Sequence, residues 1–292
     1  AYLPAGADGL ANPLGTAPGI MAEAAGKLII CMPGVPTEME CMFGESAAPR
    51  LKALAAGQVV VIGKVMCFGA GESTIADKLG RLMQRGRNPL INSTASAGVI
   101  TLHIVAAAGR KADAEEMVER QRARLVEILG DLVYGCDGQS LAEVVGAALK
   151  ERNKTLAVAE SCTGGLLGKL VTDVPGAGDY FKCGWITYCN EAKIRELGIP
   201  AELIEEHGAV SEEVCLAMAQ SARVKAGSDY AVGITGIAGP GGATEQKPVG
   251  LVYISLDCAE KSLCRKHIFS HSRQNVRLGS AMTALNMLRT EM

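Results

Sequence analysis

The sequence predicts an α/β protein. A three-layer α/β/α domain with a mixed sheet is expected over residues 138–292. A small α+β domain is expected at 57–137, and a fragment of another α/β domain at 1–56. Three observations point there. Short apolar runs alternate with helix-patterned runs through the C-terminal half, as in a sheet covered on both faces. Two neighbouring strand-like runs, VGLVYISL (249–256) and SLCRKHIFS (262–270), are spaced as a hairpin, which makes the sheet mixed. Tight-turn residues follow three strands, at 160–165, 188–193 and 235–242. In open α/β sheets, ligands sit beyond such carboxyl ends.

Taken in order, KLIICMP (27–33) reads as a buried strand, preceded by the Pro/Gly loop NPLGTAPG (12–19), either a ligand loop or a plain connection. PGVPTEMECMF (33–43) leads into a helix, with Thr37 as N-cap and Glu40 at capping-box spacing. In the next unit, 59–68 and 99–108 read as strands, and 72–85 and 113–130 as helices. Its arginines (Arg81, Arg85, Arg87, Arg120, Arg122, Arg124) mark an RNA surface or, with acidic residues interleaved, a solvated helix face. GCDGQ (135–139) is a turn-rich junction. A helix capped by Ser140 and Glu143 follows, then the strand 155–159 and a helix from Leu166. Further on come a strand at 181–190, a short helix at 190–198 capped by Asn190 and stopped by Gly198, and a Ser211-capped helix at 211–227. A strand at 229–235 and a closing helix at 275–289 complete the pattern.

Composition narrows the function. The 292 residues are 48 % apolar and 21 % charged, with a net charge of −2, so no global charge draws the chain to nucleic acid or an anionic membrane. Aromatics are 4 %, with Trp185 the single tryptophan, too few for base-stacking platforms. The ten cysteines form no CxxC pair and read as reduced thiols of a cytoplasmic protein. No apolar run approaches the roughly 20 residues of a membrane span, and no signal peptide is visible. The chain begins at Ala1, in mid-pattern, as the end of a longer domain would.

AESCTGG (159–165) is the stretch richest in chemistry. Ser161, Cys162 and Thr163 stand in a turn closed by Gly164 and Gly165, where the N–H groups of a helix start can face an anion or an oxyanion. Ser161 reads as a nucleophile, with Cys162 its rival. A serine nucleophile needs a base. There is no GxSxG. The four histidines (His103, His207, His267, His271) are poorly placed, in strands or at a loop junction. Lys193, in the first turn of its helix, opposes the helix dipole, which lowers its pKa and suits a base; a solvated lysine is the alternative. Tyr188 can relay a proton, or simply be a half-buried strand aromatic. TGIAGPGG (235–242) reads as a backbone anion nest built on Thr235, Gly236, Gly239, Gly241 and Gly242. Arg273 or Arg277 can pair with a phosphate.

Together, AESCTGG, TYCNEAK (187–193), HGAVSEEV (207–214), TGIAGPGG and KPVG (247–250) resemble the C-terminal domain of the CinA family, over 138–292. Residues 57–137 resemble its middle, KH-like domain. Residues 1–56 resemble the end of its N-terminal, molybdopterin-binding-like domain, whose ADP-ribose pyrophosphatase needs a nucleotide- and metal-binding part missing from this sequence. The resemblance implies deamidation of nicotinamide mononucleotide by a Ser161–Lys193 pair with Tyr188, in a homodimer without metal or cofactor. It places the substrate against Thr163, Gly164, Gly165, Thr235, Gly236, Gly239, Gly242 and Arg273. A binding protein of DNA uptake or damage response, with vestigial loops, is the reading from another class.

Overall fold

The computed structural model describes residues 2–54, 57–270 and 272–292. The expected boundary at 56 and the candidate His271 lie outside the described residues. The chain divides into two compact units. One holds the residues up to Val60 with Ala107–Ala114, the other Val61–Ala106 with Glu115–Met292.

The first unit carries an antiparallel sheet of β1 (Ala7–Leu10), β2 (Gly19–Ala24) and β3 (Lys27–Cys31), in that order. The Pro/Gly stretch connects β1 to β2. Asn12 organises it: its Oδ1 accepts the N–H groups of Leu14 and Gly15, and its Nδ2 donates to Glu38 and to the Ala17 carbonyl. Helix α1 (Pro36–Met42) starts earlier than the expected Thr37 cap allows. Pro36 opens it with a preset φ and no N–H to satisfy, and the residue before it, Val35, provides no side-chain cap. A wide turn, Phe43–Ala47, leads into α2 (Ala48–Leu54).

The chain continues through β4 (Val59–Phe68), α3 (Glu72–Leu79), β5 (Leu90–Ser96), β6 (Val99–Ala108), α4 (Lys111–Leu129) and β7 (Val133–Cys136), which fall in the second unit apart from Val59–Val60 and Ala107–Ala114. The four strands form one sheet in the order β5-β6-β4-β7. Helix α3 stops short of the expected residue 85 because Gly80, at φ +47°, breaks it. The expected junction at 135–139 is partly strand, since β7 pairs with β4. Arg120 and Arg122 pair with Glu116, Glu119 and Asp137 on the α4 surface.

The larger sheet follows from the apolar runs: α5 (Leu141–Glu151), β8 (Leu156–Glu160), α6 (Leu166–Thr172), β9 (Phe181–Ile186), α7 (Asn190–Ala192), α8 (Ala201–His207), α9 (Glu212–Ala226), β10 (Tyr230–Gly236), β11 (Leu251–Cys258), β12 (Ser262–Ile268) and α10 (Arg273–Glu291). Its order is β12-β11-β10-β8-β9. Strand β8 runs parallel to β9 and β10, while β11 and β12 are antiparallel, so the sheet is mixed. Strand β8 shows how the layers form. Leu156 and Val158 pack in the core with α5, α6 and α10, whereas Ala157 and Ala159 pack on the opposite face with α8 and α9. Small side chains on that second face admit α9 closely. Among the described residues, no helix is long and apolar enough to cross a membrane.

Ser140 caps α5 in a complete capping box, its Oγ accepting the Glu143 N–H while the Glu143 carboxylate accepts the Ser140 N–H. Ser140→Ala removes one of these bonds and should lower stability by about 1 kcal/mol. Denaturant titration against the wild type, with an unchanged slope, checks this.

Candidate active site

Three strand ends meet in the larger sheet. Beyond β8, Ser161 continues the ladder by donating its N–H to the Ile234 carbonyl of β10. Strand alternation puts Glu160 on the α6 face and Ser161 on the opposite one. Beyond β9 the chain passes Thr187 and Tyr188 into α7, which widens at once into a π turn, Lys193–Leu197, ended by Gly198 at φ +73°. A regular helix capped by Asn190 does not form. Cys189 is the N-cap residue and supplies no side-chain bond. The widened turn carries Lys193 with its side chain inward and 1 % exposed.

Lys193 and Ser161 meet directly. Lys193 Nζ donates to Ser161 Oγ at 3.0 Å and to the Thr187 carbonyl at 2.8 Å. Among the described residues, no carboxylate lies within salt-bridge distance of it. Burial therefore dominates and pushes the ammonium below its ordinary value of 10.5. The expectation of a depressed lysine stands, but its cause is desolvation rather than the helix dipole. Cys162, the rival nucleophile, is 4 % exposed, and burial pushes its thiol up to about 12, which leaves almost no thiolate at neutral pH.

Glu160 is the residue that sequence reasoning missed. It is 1 % exposed, and its carboxylate accepts the N–H groups of Gly165 (3.1 Å), Leu167 (3.0 Å) and Gly168 (2.8 Å). The start of α6 is thus already occupied by an internal anion. This corrects the expectation that the helix start is open to a ligand. Of the turn, the N–H groups of Cys162 and Thr163 remain without a partner among the described residues. A charged residue closing the apolar run LAVAE was the available signal.

A cleft of about 210 Å³ opens over the pair, lined by Ser161, Tyr188, Lys193, the 235–239 loop, Gly241, Gly242 and Arg273. Thr235, Gly236, Gly239 and Gly242 therefore converge on it as expected. Gly236 is required where the loop leaves β10, because a Cβ there would lie 2.7 Å from the Leu251 carbonyl and Val252. Thr163, Gly164 and Gly165 do not line the cleft. Arg277 holds the Thr163 carbonyl at 2.7 and 3.1 Å, and Gly165, at φ +90°, turns the chain into α6. Arg273 donates to the Gly239 carbonyl (2.8 Å) and to the Tyr188 hydroxyl (2.7 Å). Tyr188 is thus bound to Arg273 and does not stand between Ser161 and Lys193. None of His103, His207 and His267 lines the cleft.

The fold and site define a three-layer α/β protein with a buried serine–lysine pair at the carboxyl ends of its strands. Two family descriptions match it: the CinA C-terminal domain over residues 138–292 and the damage-inducible protein CinA KH domain over residues 64–135. The chain belongs to the CinA family. It is 43 % identical over 297 residues to a CinA-like protein of Thermosynechococcus vestitus, covering 100 % of this chain and 71 % of that one. It is 40 % identical over 290 residues to a CinA-like protein of Kosmotoga olearia, covering 99 % and 70 %. The crystal structure of a competence/damage inducible protein from Agrobacterium tumefaciens superposes with a TM-score of 0.51 at 36 % identity, over 51 % of this chain and 92 % of that one.

Removing the Glu160 carboxylate strands three N–H groups, one buried and two partly buried. Glu160→Ala should destabilise the fold by about 1–3 kcal/mol. Glu160→Gln should recover only part of this, because its amide N–H₂ would face a donor. Denaturant midpoints of the two variants check the ordering.

Proposed function

We propose that the chain is an amidohydrolase that converts nicotinamide mononucleotide and water to nicotinate mononucleotide and ammonia, with Ser161 as nucleophile and Lys193 as base. The observation that carries this reading is the 3.0 Å contact between Lys193 Nζ and Ser161 Oγ, in a setting that disfavours the ammonium. Membership of the CinA family supports it at the level of the family.

Neutral Lys193 takes the Oγ proton as Oγ bonds to the carboxamide carbon, whose carbonyl π pair moves to oxygen. The N–H group of Cys162, a residue that lines the cleft, is the donor of the turn left to meet that oxyanion, since Gly164 donates to the Ser161 carbonyl and Gly165 to Glu160. The Lys193 ammonium then protonates the departing nitrogen, and ammonia leaves as the carbonyl reforms. Water, deprotonated by Lys193, attacks the acyl-serine and releases the carboxylate and the serine hydroxyl. The Gly239, Gly241 and Gly242 N–H groups have no partner among the described residues, and these glycines line the cleft with Arg273. Two of the five guanidinium N–H groups of Arg273 are spent on Gly239 and Tyr188, which leaves it able to pair with the 5′-phosphate.

Ser161→Ala and Lys193→Ala should each lower kcat for nicotinamide mononucleotide by about 10³ or more, while Cys162→Ala keeps most of it. Ammonia release measures this, and near-wild-type turnover by both of the first two variants overturns the assignment.

The pH dependence has a definite sign. The deprotonated amine is the working form, so kcat/KM rises with pH as the ammonium loses its proton. Because burial lowers that pKa, the midpoint should fall below the ordinary lysine value of 10.5. Lys193→Arg should abolish the rising limb.

A further inference from the structure

The serine turn is connected to a cation that stands outside the cleft. Arg277, on α10, donates from Nη2 and Nε to the Thr163 carbonyl at 2.7 and 3.1 Å. It is absent from the cleft lining, and among the described residues no carboxylate lies within salt-bridge distance of it. A guanidinium fork that ordinarily takes a carboxylate is spent here on one backbone oxygen.

That oxygen belongs to the Thr163–Gly164 peptide. The N–H of the same peptide, on Gly164, donates to the Ser161 carbonyl at 3.0 Å. The Ser161 carbonyl in turn shares its peptide with the Cys162 N–H, the donor left unpaired at the cleft. Two peptide units therefore stand in series between the guanidinium and the place where an oxyanion would form. Each is a conjugated plane that accepts at one end and donates at the other. A peptide whose carbonyl is hydrogen-bonded is polarised, and its N–H becomes the stronger donor. Gly164 at φ +58° and Gly165 at φ +90° give the turn the left-handed backbone that this crossing of bonds uses. The charge is felt at the turn: burial is what raises the Cys162 thiol, and Arg277 is among the groups that act against it.

We propose that Arg277 is a positioning residue for amide hydrolysis, which orients and polarises the Cys162 N–H toward the oxyanion through the Thr163–Gly164 and Ser161–Cys162 peptides. This rests on the proposed reading of Ser161 as nucleophile. Arg277 touches no substrate. Its contribution grows as the carbonyl π pair moves to oxygen and is small while the carboxamide is planar. It therefore acts on kcat and leaves substrate affinity alone, whereas Arg273, in the cleft lining, acts on affinity.

Arg277→Met removes both the fork and the charge. Its kcat for nicotinamide mononucleotide should fall roughly tenfold, with KM within about twofold of wild type. Arg277→Lys, which keeps the charge, should recover part of the loss. The 3-formylpyridine analogue of nicotinamide mononucleotide separates this role from that of a brace. Ser161 Oγ bonds to its aldehyde carbon, the π pair moves to oxygen and the Oγ proton passes to Lys193, so the adduct carries the oxyanion. Nicotinate mononucleotide forms no such adduct. Arg277→Met should weaken inhibition by the aldehyde roughly tenfold and leave inhibition by nicotinate mononucleotide unchanged. If Arg277→Met fails to fold, Arg277→Gln, which also loses the charge, decides by the same two affinities. An equal loss of both affinities overturns the proposal and marks Arg277 as a brace only. Turnover that Ser161→Ala abolishes and Arg277→Met leaves at the wild-type kcat overturns this inference alone. Wild-type protein that releases no ammonia overturns the reading of Ser161, and this inference with it.

Discussion

A lysine amine buried without a carboxylate is the constraint around which the larger domain is built. An ammonium in such a place is costly, and burial pushes Lys193 below its ordinary value of 10.5. The amine needs hydrogen-bond partners there, and the Thr187 carbonyl and Ser161 Oγ supply them. Both stand just beyond strand ends, and β8 and β9 are parallel neighbours, so their ends come out on the same side of the sheet. An antiparallel pair would have sent those ends to opposite edges. The parallel pairing of β8 with β9 is therefore a condition of the site as well as a feature of the fold.

The turn between β8 and α6 faces a second electrostatic demand. The first N–H groups of a helix require acceptors, and here Glu160 provides them from within the chain. A bound anion is not needed to complete this helix start, and the turn can hold its shape with the cleft empty. Arg277 adds a brace from the opposite side by holding the Thr163 carbonyl. The same helix positions Arg273 one turn earlier, bonded to the glycine loop and Tyr188. Helix α10 thus ties together all three strand-end loops. Its buried face, with Val276, Ala281, Ala284 and Leu285, anchors that arrangement in the core.

Local signals were legible wherever one residue type satisfies one backbone need. Ser140 and Ser211 cap α5 and α9 as their spacing suggests, and Gly198 and Gly227 end their helices in the left-handed region. The signal failed where two solutions compete for the same few residues. Thr37 looks like a cap, yet Pro36 before it begins the helix without needing one. Strands β1, β2, β5 and β7 passed unnoticed because they are short or half-exposed and carry little alternation. The Ser161–Lys193 contact joins residues from different strand ends, so no local pattern contains it. The lack of a placed histidine and the helix start singled out Lys193 as partner to Ser161, the family resemblance agreed, and the cause of the lysine's depressed pKa became visible only with its burial.

Glu160 shows what kind of information a linear motif hides. In the sequence the glycines after it look like the cradle of a ligand. In the fold, alternation along β8 turns the carboxylate under α6 while Ser161 emerges toward Lys193. The glycines then serve the carboxylate as much as any substrate, since Gly165 and Gly168 give it their N–H groups. One consequence concerns where negative charge can settle. With the helix start filled, an anion finds no vacancy there. Under the proposed reading, the substrate phosphate is left with the 236–242 loop and Arg273 in the lining of the cleft. The internal anion at α6 then decides where the external one can bind.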